Sequence, residues 1–141
     1  MKILVLNGPN LNMLGERDPE VYGSETLADI ENFLKDSFPD HDFDFYQSNV
    51  EGELISMIQR TDAEAIVLNL GGYTHTSVAL RDALEPVSIP KVEVHMSNIH
   101  AREEFRAKSI TGEVVDGIIT GFGKNSYALG IKAVEIIDQR R

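Results

Sequence analysis

The sequence predicts an α/β fold in which helices cover both faces of a parallel β-sheet. Short apolar runs alternate along the chain with longer segments whose apolar residues recur at helical spacing. Proline and glycine residues separate the two kinds of segment. The chain has 141 residues, of which 42% are apolar, and this length and composition suit a single domain with its own core.

Five segments are predicted to be strands. Most of them are apolar runs typical of a buried strand, whereas the second alternates Phe43 and Phe45 with polar residues, as a half-buried strand does. The predicted strands are Lys2–Asn7, Asp42–Ser48, Glu64–Leu70, Lys91–His95 and Val114–Thr120.

Four longer segments are predicted to be helices. Leu27, Ile30 and Leu34 recur at helical spacing in the first, and Pro39 ends it. The residues from Ser48 to Glu51 have the pattern of a capping box in front of the second helix. The predicted helices are Thr26–Phe38, Glu51–Arg60, Thr76–Leu84 and Asn125–Arg140.

This alternation predicts a flavodoxin-like three-layer sandwich with five parallel strands in the order 2-1-3-4-5 and right-handed crossovers. In such folds ligands bind outside the carboxyl ends of the strands, where the strand order reverses. The reversal falls between strands 1 and 3. We expect residues 1–141 to form one catalytic domain around that point.

Composition excludes several classes of function. The chain has no cysteine, which excludes disulfides, thiolate metal sites and a cysteine nucleophile. The first apolar run is too short for a signal sequence or a membrane span, so we predict a cytoplasmic protein. A net charge of −10 argues against nucleic acid and anionic membranes as partners. An anionic ligand would therefore need local arginines.

Polar side chains follow three of the predicted strands at the point where each strand ends. Because the carboxyl ends of parallel strands meet at one edge of the sheet, we expect these residues to lie together. A purely structural sheet does not need to gather histidines and asparagines there. The residues are Asn7 and Asn10, Asn69 and His75, and His95, Met96 and Ser97, with His100 and Arg106 beyond.

The connection from Asn7 to Gly23 is much longer than the roughly 2–6 residues usual between a strand and a helix, which is typical of an active-site lid. It carries Arg17 and Tyr22. A guanidinium near a phenol favours the phenolate and lowers the pKa of the tyrosine from about 10 toward neutrality. Tyr22 is therefore a candidate general base that closure of the lid would assemble.

The other residues at this edge suggest complementary roles. His95 can protonate a leaving group, and Asn10 can hold a water or an oxyanion. Arg106, with Ser97 and the backbone N–H groups around Met96, can hold a carboxylate. A base, an acid and a carboxylate clamp suggest β-elimination of water from a hydroxy acid, although the residue types alone allow an isomerase or a hydrolase equally well.

Five blocks of the sequence resemble those of the type II 3-dehydroquinate dehydratases, in the same order and over essentially the whole chain. The blocks are NGPNLNMLGERDPEVYG, SNVEGELISMIQ, NLGGYTHTSVALRDAL, EVHMSNIHAREEFR and GFGKNSYALG. The resemblance implies an enzyme of the shikimate pathway, which serves aromatic amino acid biosynthesis. It implies the conversion of 3-dehydroquinate to 3-dehydroshikimate and water through an enolate, without a cofactor or a metal.

The resemblance also implies roles for individual residues. Tyr22 takes the proton, Arg17 stabilises the transition state, Asn10 holds the enolate through a water and His95 protonates the departing hydroxyl. Glu93 orients His95. The implied substrate-binding residues are Asn69, His75, Met96, Ser97 and Arg106, together with Asp82, which reaches into the site of a neighbouring subunit of a dodecamer built from trimers.

Two positions depart from the family pattern, and neither is among the acid, the base or the two arginines. Gly72 stands where alanine is frequent, which changes backbone freedom more than chemistry. Asp18 stands where glutamate is common, so a role that needs the longer side chain does not carry over.

Three other chemistries compete with this interpretation. His75, His95 and His100 could bind a metal, although such a site needs a further ligand. A flavodoxin-like ligand-binding or signalling module would need, as a receiver domain, an aspartate where Asn69 stands. A dehydratase that forms a Schiff base would need a lysine at the site, and the sequence offers only Lys91, Lys108 and Lys124 near strand ends or in loops.

Overall fold

The computed structural model describes residues 1–16, 18, 20 and 23–141. Five parallel strands form one sheet in the order β2-β1-β3-β4-β5, which confirms the predicted flavodoxin-like α/β fold. The strands are β1 Lys2–Asn7, β2 Asp42–Gln47, β3 Ala65–Asn69, β4 Lys91–His95 and β5 Gly117–Thr120.

The main helices of the described residues are α1 Leu27–Ser37, α2 Glu51–Arg60, α3 Tyr73–Thr76, α4 Val78–Leu84 and α5 Asn125–Gln139. Short 3₁₀ helices cover Leu11–Met13, Ile99–Ala101, Glu104–Arg106 and Thr111–Val114. In this part of the chain, no helix is both long and apolar enough to cross a membrane.

Alternate residues of the central strands pack on opposite faces of the sheet, as the period of a strand requires. Ile3, Val5 and Val67 belong to one buried cluster, which includes residues of α1 and α5. Leu4, Leu6 and Leu68 belong to the other, which includes residues of α2 and α4. The sheet is therefore covered on both faces, so polar groups that could contact a ligand lie at the strand ends.

The helix Glu51–Arg60 has the predicted bounds, but its predicted cap and the extent of the following helix differ from the prediction. The capping box from Ser48 to Glu51 is wrong, because Val50 is the N-cap of α2. The Ser48 hydroxyl instead accepts from the N–H of Val50 at 2.9 Å and donates to Glu53 at 2.5 Å. The predicted helix Thr76–Leu84 is divided at Ser77, whose hydroxyl accepts from the N–H of Leu80 and caps α4.

The last strand begins later than predicted. Val114 ends a 3₁₀ helix rather than starting a strand, and β5 begins at Gly117. Just before it, Asp116 exchanges two hydrogen bonds of 2.8 Å with the backbone of Lys91, one through its N–H and one through its carboxylate. These bonds align β5 with the start of β4.

The carboxyl ends of β1 and β3 approach each other very closely. The N–H of Gly8 donates to the carbonyl oxygen of Asn69 at 2.8 Å. A β-carbon added to Gly8 would collide with the backbone of Leu70. Glycine is therefore required for steric reasons where the strand order reverses.

We expect Gly8→Ala to lower the free energy of unfolding by about 1–3 kcal/mol, because the added methyl would force the two strand ends apart. The measurement is urea unfolding followed by circular dichroism. Gly52→Ala is the matched control, since no atom lies within 4 Å of its added β-carbon and alanine favours a helix. Equal stability of the two variants would contradict the packing argument.

Candidate active site

A pocket opens at the carboxyl edge of the sheet, beside the ends of β1, β3 and β4. It brings together residues that the sequence analysis placed on three separate segments of the chain. The predicted residues that line it are Asn10, Asn69, His75, His95, Met96, Ser97 and Arg106.

Three predicted residues are not described as part of this pocket. Arg17 and Tyr22 lie outside the described residues. Asp82 lies on α4 with an exposed side chain, 3.7 Å from Arg81. Its predicted place in a neighbouring subunit's site stays a prediction.

The side chain of Asn69 is hydrogen-bonded to a buried tyrosine on α5. The hydroxyl of Tyr127 accepts from the Asn69 amide at 2.9 Å and donates to the side chain of Asn7 at 2.6 Å. Burial raises the pKa of Tyr127 far above its ordinary value, so the hydroxyl remains a donor. The N–H of Gly71 donates to the Asn69 side-chain oxygen at 3.3 Å. These bonds fix the orientation of the Asn69 amide at the pocket.

Asn10 is positioned by its backbone. It has a φ of 70°, in the left-handed region that asparagine tolerates better than most residues. Its N–H donates to the side-chain oxygen of Asn49 at 2.9 Å. Gln47, at the end of β2, donates to the same oxygen at 3.1 Å and to the carbonyl of Gly8 at 3.1 Å. The loop after β1 is thus fastened to the end of β2.

His95 lies at the end of β4 and is buried, and its Nε2 lies 2.9 Å from Oε2 of Glu93. Glu93 is fully buried, and its carboxylate also accepts from the hydroxyls of Ser109 at 2.7 Å and Thr111 at 2.5 Å. Burial alone would raise the pKa of Glu93, but the bonds from His95, Thr111 and Ser109 outweigh it and hold the pKa below its ordinary value. The ionised Glu93 thus accepts a hydrogen bond from Nε2 of His95.

His75 also lines the pocket, next to His95. Their rings are stacked at an angle of 23°, with centroids 6.3 Å apart. Nδ1 of His75 lies 2.8 Å from the carbonyl oxygen of Lys108. Because a carbonyl can only accept, Nδ1 carries the hydrogen, and Nε2 of a neutral His75 is an acceptor.

The cationic wall of the pocket contains a residue that the sequence analysis missed. Arg102 lines the pocket and donates to the Ser97 hydroxyl at 3.3 Å. Arg106 donates instead to Glu103 at 3.2 Å. The sequence did contain a signal for this second arginine. In AREEFR, Arg102 and Arg106 are four residues apart, and both follow the end of β4.

The described residues that line the pocket include no lysine. Lys91 lies at the start of β4, where its ammonium donates to the carbonyl of Leu84. Lys124 is 3.2 Å from Glu25, and Lys108 has an exposed side chain. Within the described parts of the chain, no group of three or more histidines, cysteines or carboxylates is arranged to hold a metal ion.

The model of the family described as dehydroquinase class II matches residues 1–135. The chain belongs to this family. A 3-dehydroquinate dehydratase of Pelodictyon phaeoclathratiforme is 54% identical over 138 residues, which cover 95% of this chain and 91% of the relative. A 3-dehydroquinate dehydratase of Thermotoga neapolitana is 52% identical over 136 residues, covering 95% and 94%.

A solved structure agrees with this assignment. The type II dehydroquinase of Butyrivibrio crossotus superposes with a TM-score of 0.93 at 45% identity, covering 96% of this chain and 97% of the other. The predicted family and enzyme class are therefore confirmed, in place of the alternative of a ligand-binding or signalling module.

Proposed function

We propose that the pocket at the ends of β1, β3 and β4 is where this class II dehydroquinase converts 3-dehydroquinate to 3-dehydroshikimate and water. The observation that carries the assignment to this pocket is His95 backed by the buried, ionised Glu93. An imidazolium with a fixed anionic partner suits the protonation of a poor leaving group. The family places the reaction in the shikimate pathway.

The proposed mechanism is a stepwise elimination through an enolate. The Tyr22 phenolate removes a proton from the carbon next to the ketone, and Arg17 favours that phenolate. The electrons move onto the carbonyl oxygen, where a water held by Asn10 stabilises the enolate. The carbon–oxygen bond of the tertiary alcohol then breaks as the enolate collapses, and His95 gives its proton to the departing oxygen, which leaves as water.

Substrate binding uses the other walls of the pocket. Arg106, the Ser97 hydroxyl and the backbone N–H groups around Met96 hold the carboxylate. Asn69 and His75 hold hydroxyl groups, and both side chains are already oriented by hydrogen bonds, Asn69 to Tyr127 and His75 to the carbonyl oxygen of Lys108. Such preorganisation lowers the entropy lost on binding. No metal or cofactor takes part in the proposed reaction.

The proposal extends to assembly, domain organisation and location. Residues 1–141 form one catalytic domain, and copies assemble as trimers into a dodecamer in which Asp82 of one copy reaches a neighbouring site. The support is the family resemblance and the exposed position of Asp82 on α4. The proposed location is the cytoplasm. Light scattering is expected to give a species of at least trimer mass, and a stable active monomer would contradict the assembly.

We expect purified protein treated with a chelator to produce conjugated-enone absorbance when 3-dehydroquinate is added.

His95→Gln is expected to lower kcat by about 10²–10⁴-fold, because the proton for the leaving group is lost. His100→Gln is the matched control, since His100 is exposed and outside the pocket lining, and it should keep near-normal kcat. Absence of turnover by the unmodified protein would reject the proposed function, and equal kcat of the two variants would reject the role of His95.

Tyr22→Phe is expected to abolish removal of the proton while substrate still binds. Arg17→Ala should lose kcat far more than affinity, because the guanidinium acts on charge that develops in the transition state. Exchange of substrate deuterium into solvent measures proton removal, and equilibrium dialysis measures binding. Near-normal exchange by Tyr22→Phe would mean that another group is the base.

A further inference from the structure

One short segment of the chain supports both histidines of the pocket, His75 directly and His95 through Glu93. Lys108 accepts from His75 Nδ1 at 2.8 Å through its carbonyl oxygen. Ser109 and Thr111 donate to the carboxylate of Glu93, which is bonded to His95 Nε2. The two rings belong to different elements, α3 and β4, yet share this single support.

The segment itself is rigidly held. The N–H of Ile110 donates to the carbonyl oxygen of Thr74 at 2.9 Å, next to His75. The Ser109 hydroxyl accepts from the N–H of Gly112 at 2.8 Å, so its own hydrogen is directed to Glu93. A side chain on Gly112 would come within 2.5 Å of Ile118 and 2.7 Å of the Ser109 hydroxyl. The turn therefore needs glycine there.

Neutral donors suit this position better than a cation would. Glu93 has no exposed surface, so without donors the carboxylate would become protonated. A lysine or arginine could keep it ionised, but its positive charge would also oppose the imidazolium of His95. The hydroxyls of Ser109 and Thr111 stabilise the anion and leave its full charge to His95. Thr111 is the cleaner case, because it is fully buried and donates to Oε1 alone.

Few other charged groups compete for Glu93. Its neighbours in the sheet, Leu68 on β3 and Ile118 on β5, are apolar. The charged residues of α4 and the adjoining 3₁₀ helix form ion pairs with one another: Arg81 lies within 4 Å of Asp82, Glu85 and Glu113. Among the described residues that line the pocket, the ionisable groups besides His95 are His75, Arg102 and Arg106.

We propose that the segment Lys108–Thr111 sets where the protons reside on both pocket histidines, with Thr111 as a positioning residue that acts on His95 through Glu93. The inference rests on the proposed function only for the role of His95 as the acid. The segment keeps Nε2–H on His95 and Nδ1–H on His75. Nδ1 of His95 is then the nitrogen that carries the transferable proton, and Nε2 of His75 accepts from the substrate.

The sign of the pH effect follows from Glu93. Its pKa in the folded protein is below its ordinary value, so the anion is present above that range and is lost as pH falls through the folded pKa. Removing a donor raises the pKa of Glu93. The Glu93 carboxyl should therefore become protonated at a higher pH in a variant that lacks one of its donors.

The test is Thr111→Val, which keeps the shape of the side chain and deletes its hydroxyl. We expect the pKa of the Glu93 carboxyl, followed by carbon-13 NMR, to rise by about one unit in this variant, because a hydrogen bond to a charged group changes a dissociation constant by roughly tenfold or more. KM should change little, since Thr111 does not line the pocket. Thr111→Ser keeps the hydroxyl and should restore the original pKa of Glu93. A Glu93 pKa in Thr111→Val that matches the unmodified enzyme, or an equal shift in Thr111→Ser, would overturn the inference.

A second measurement uses the unmodified protein and needs no activity. Nitrogen-15 NMR of the imidazoles should show hydrogen on Nδ1 of His75 and on Nε2 of His95, and the opposite tautomer of neutral His75 would overturn the inference. Carbon-13 NMR of the Glu93 carboxyl should show a higher pKa in Ser109→Ala than in the unmodified protein, and an unchanged pKa would count against the segment. If 3-dehydroquinate is not turned over, these spectra still decide the inference separately from the proposed function.

Discussion

The close contact between the ends of β1 and β3 is the constraint on which the site depends. These strands lie side by side because the strand order reverses there, and their last residues, Asn7 and Asn69, are paired in register. Beyond that pair the two chain segments separate, because the helices that follow β1 and β3 cover opposite faces of the sheet. The divergence opens a crevice, and Gly8 lets the two backbones stay in contact at its base. Asn7 and Asn69, the last residues of the two strands, lie at that base.

Buried polar groups are costly unless each has a partner, and this pocket contains two such sets. In one, Tyr127 joins the amides of Asn7 and Asn69. In the other, the Glu93 carboxylate takes bonds from His95 and two hydroxyls. In the first set the partners lie on β1, β3 and α5, and in the second the two hydroxyls lie 16 and 18 residues after Glu93. Assembly of the site therefore accompanies folding of the sheet, and the side chains that face the ligand are oriented before it arrives.

The sequence was sufficient for the sheet and for most of the residues at its edge, because apolar periodicity and strand ends are local signals. The prediction from sequence failed where one local pattern is compatible with two different backbone structures. The valines at 114 and 115 suit a strand, yet Val114 ends a 3₁₀ helix, because the turn through Gly112 places Thr111 against Glu93. The roles of Ser109, Thr111 and Tyr127 could not be predicted, since each depends on a contact between distant segments. Arg102 was missed although Arg106, four residues later, was found.

The net charge of −10 and the arginines of the pocket act over different distances. Exposed carboxylates repel an anion at long range, but salt screens that repulsion within roughly 8–10 Å. At contact, a guanidinium bonded to a carboxylate is much stronger than that screened field. Glu103 already lies 3.2 Å from Arg106 and 3.8 Å from Arg102, and its own backbone N–H together with these arginines lowers its pKa. Glu103 therefore partly neutralises both guanidinium groups at short range, and an anion bound beside them would share them with this carboxylate.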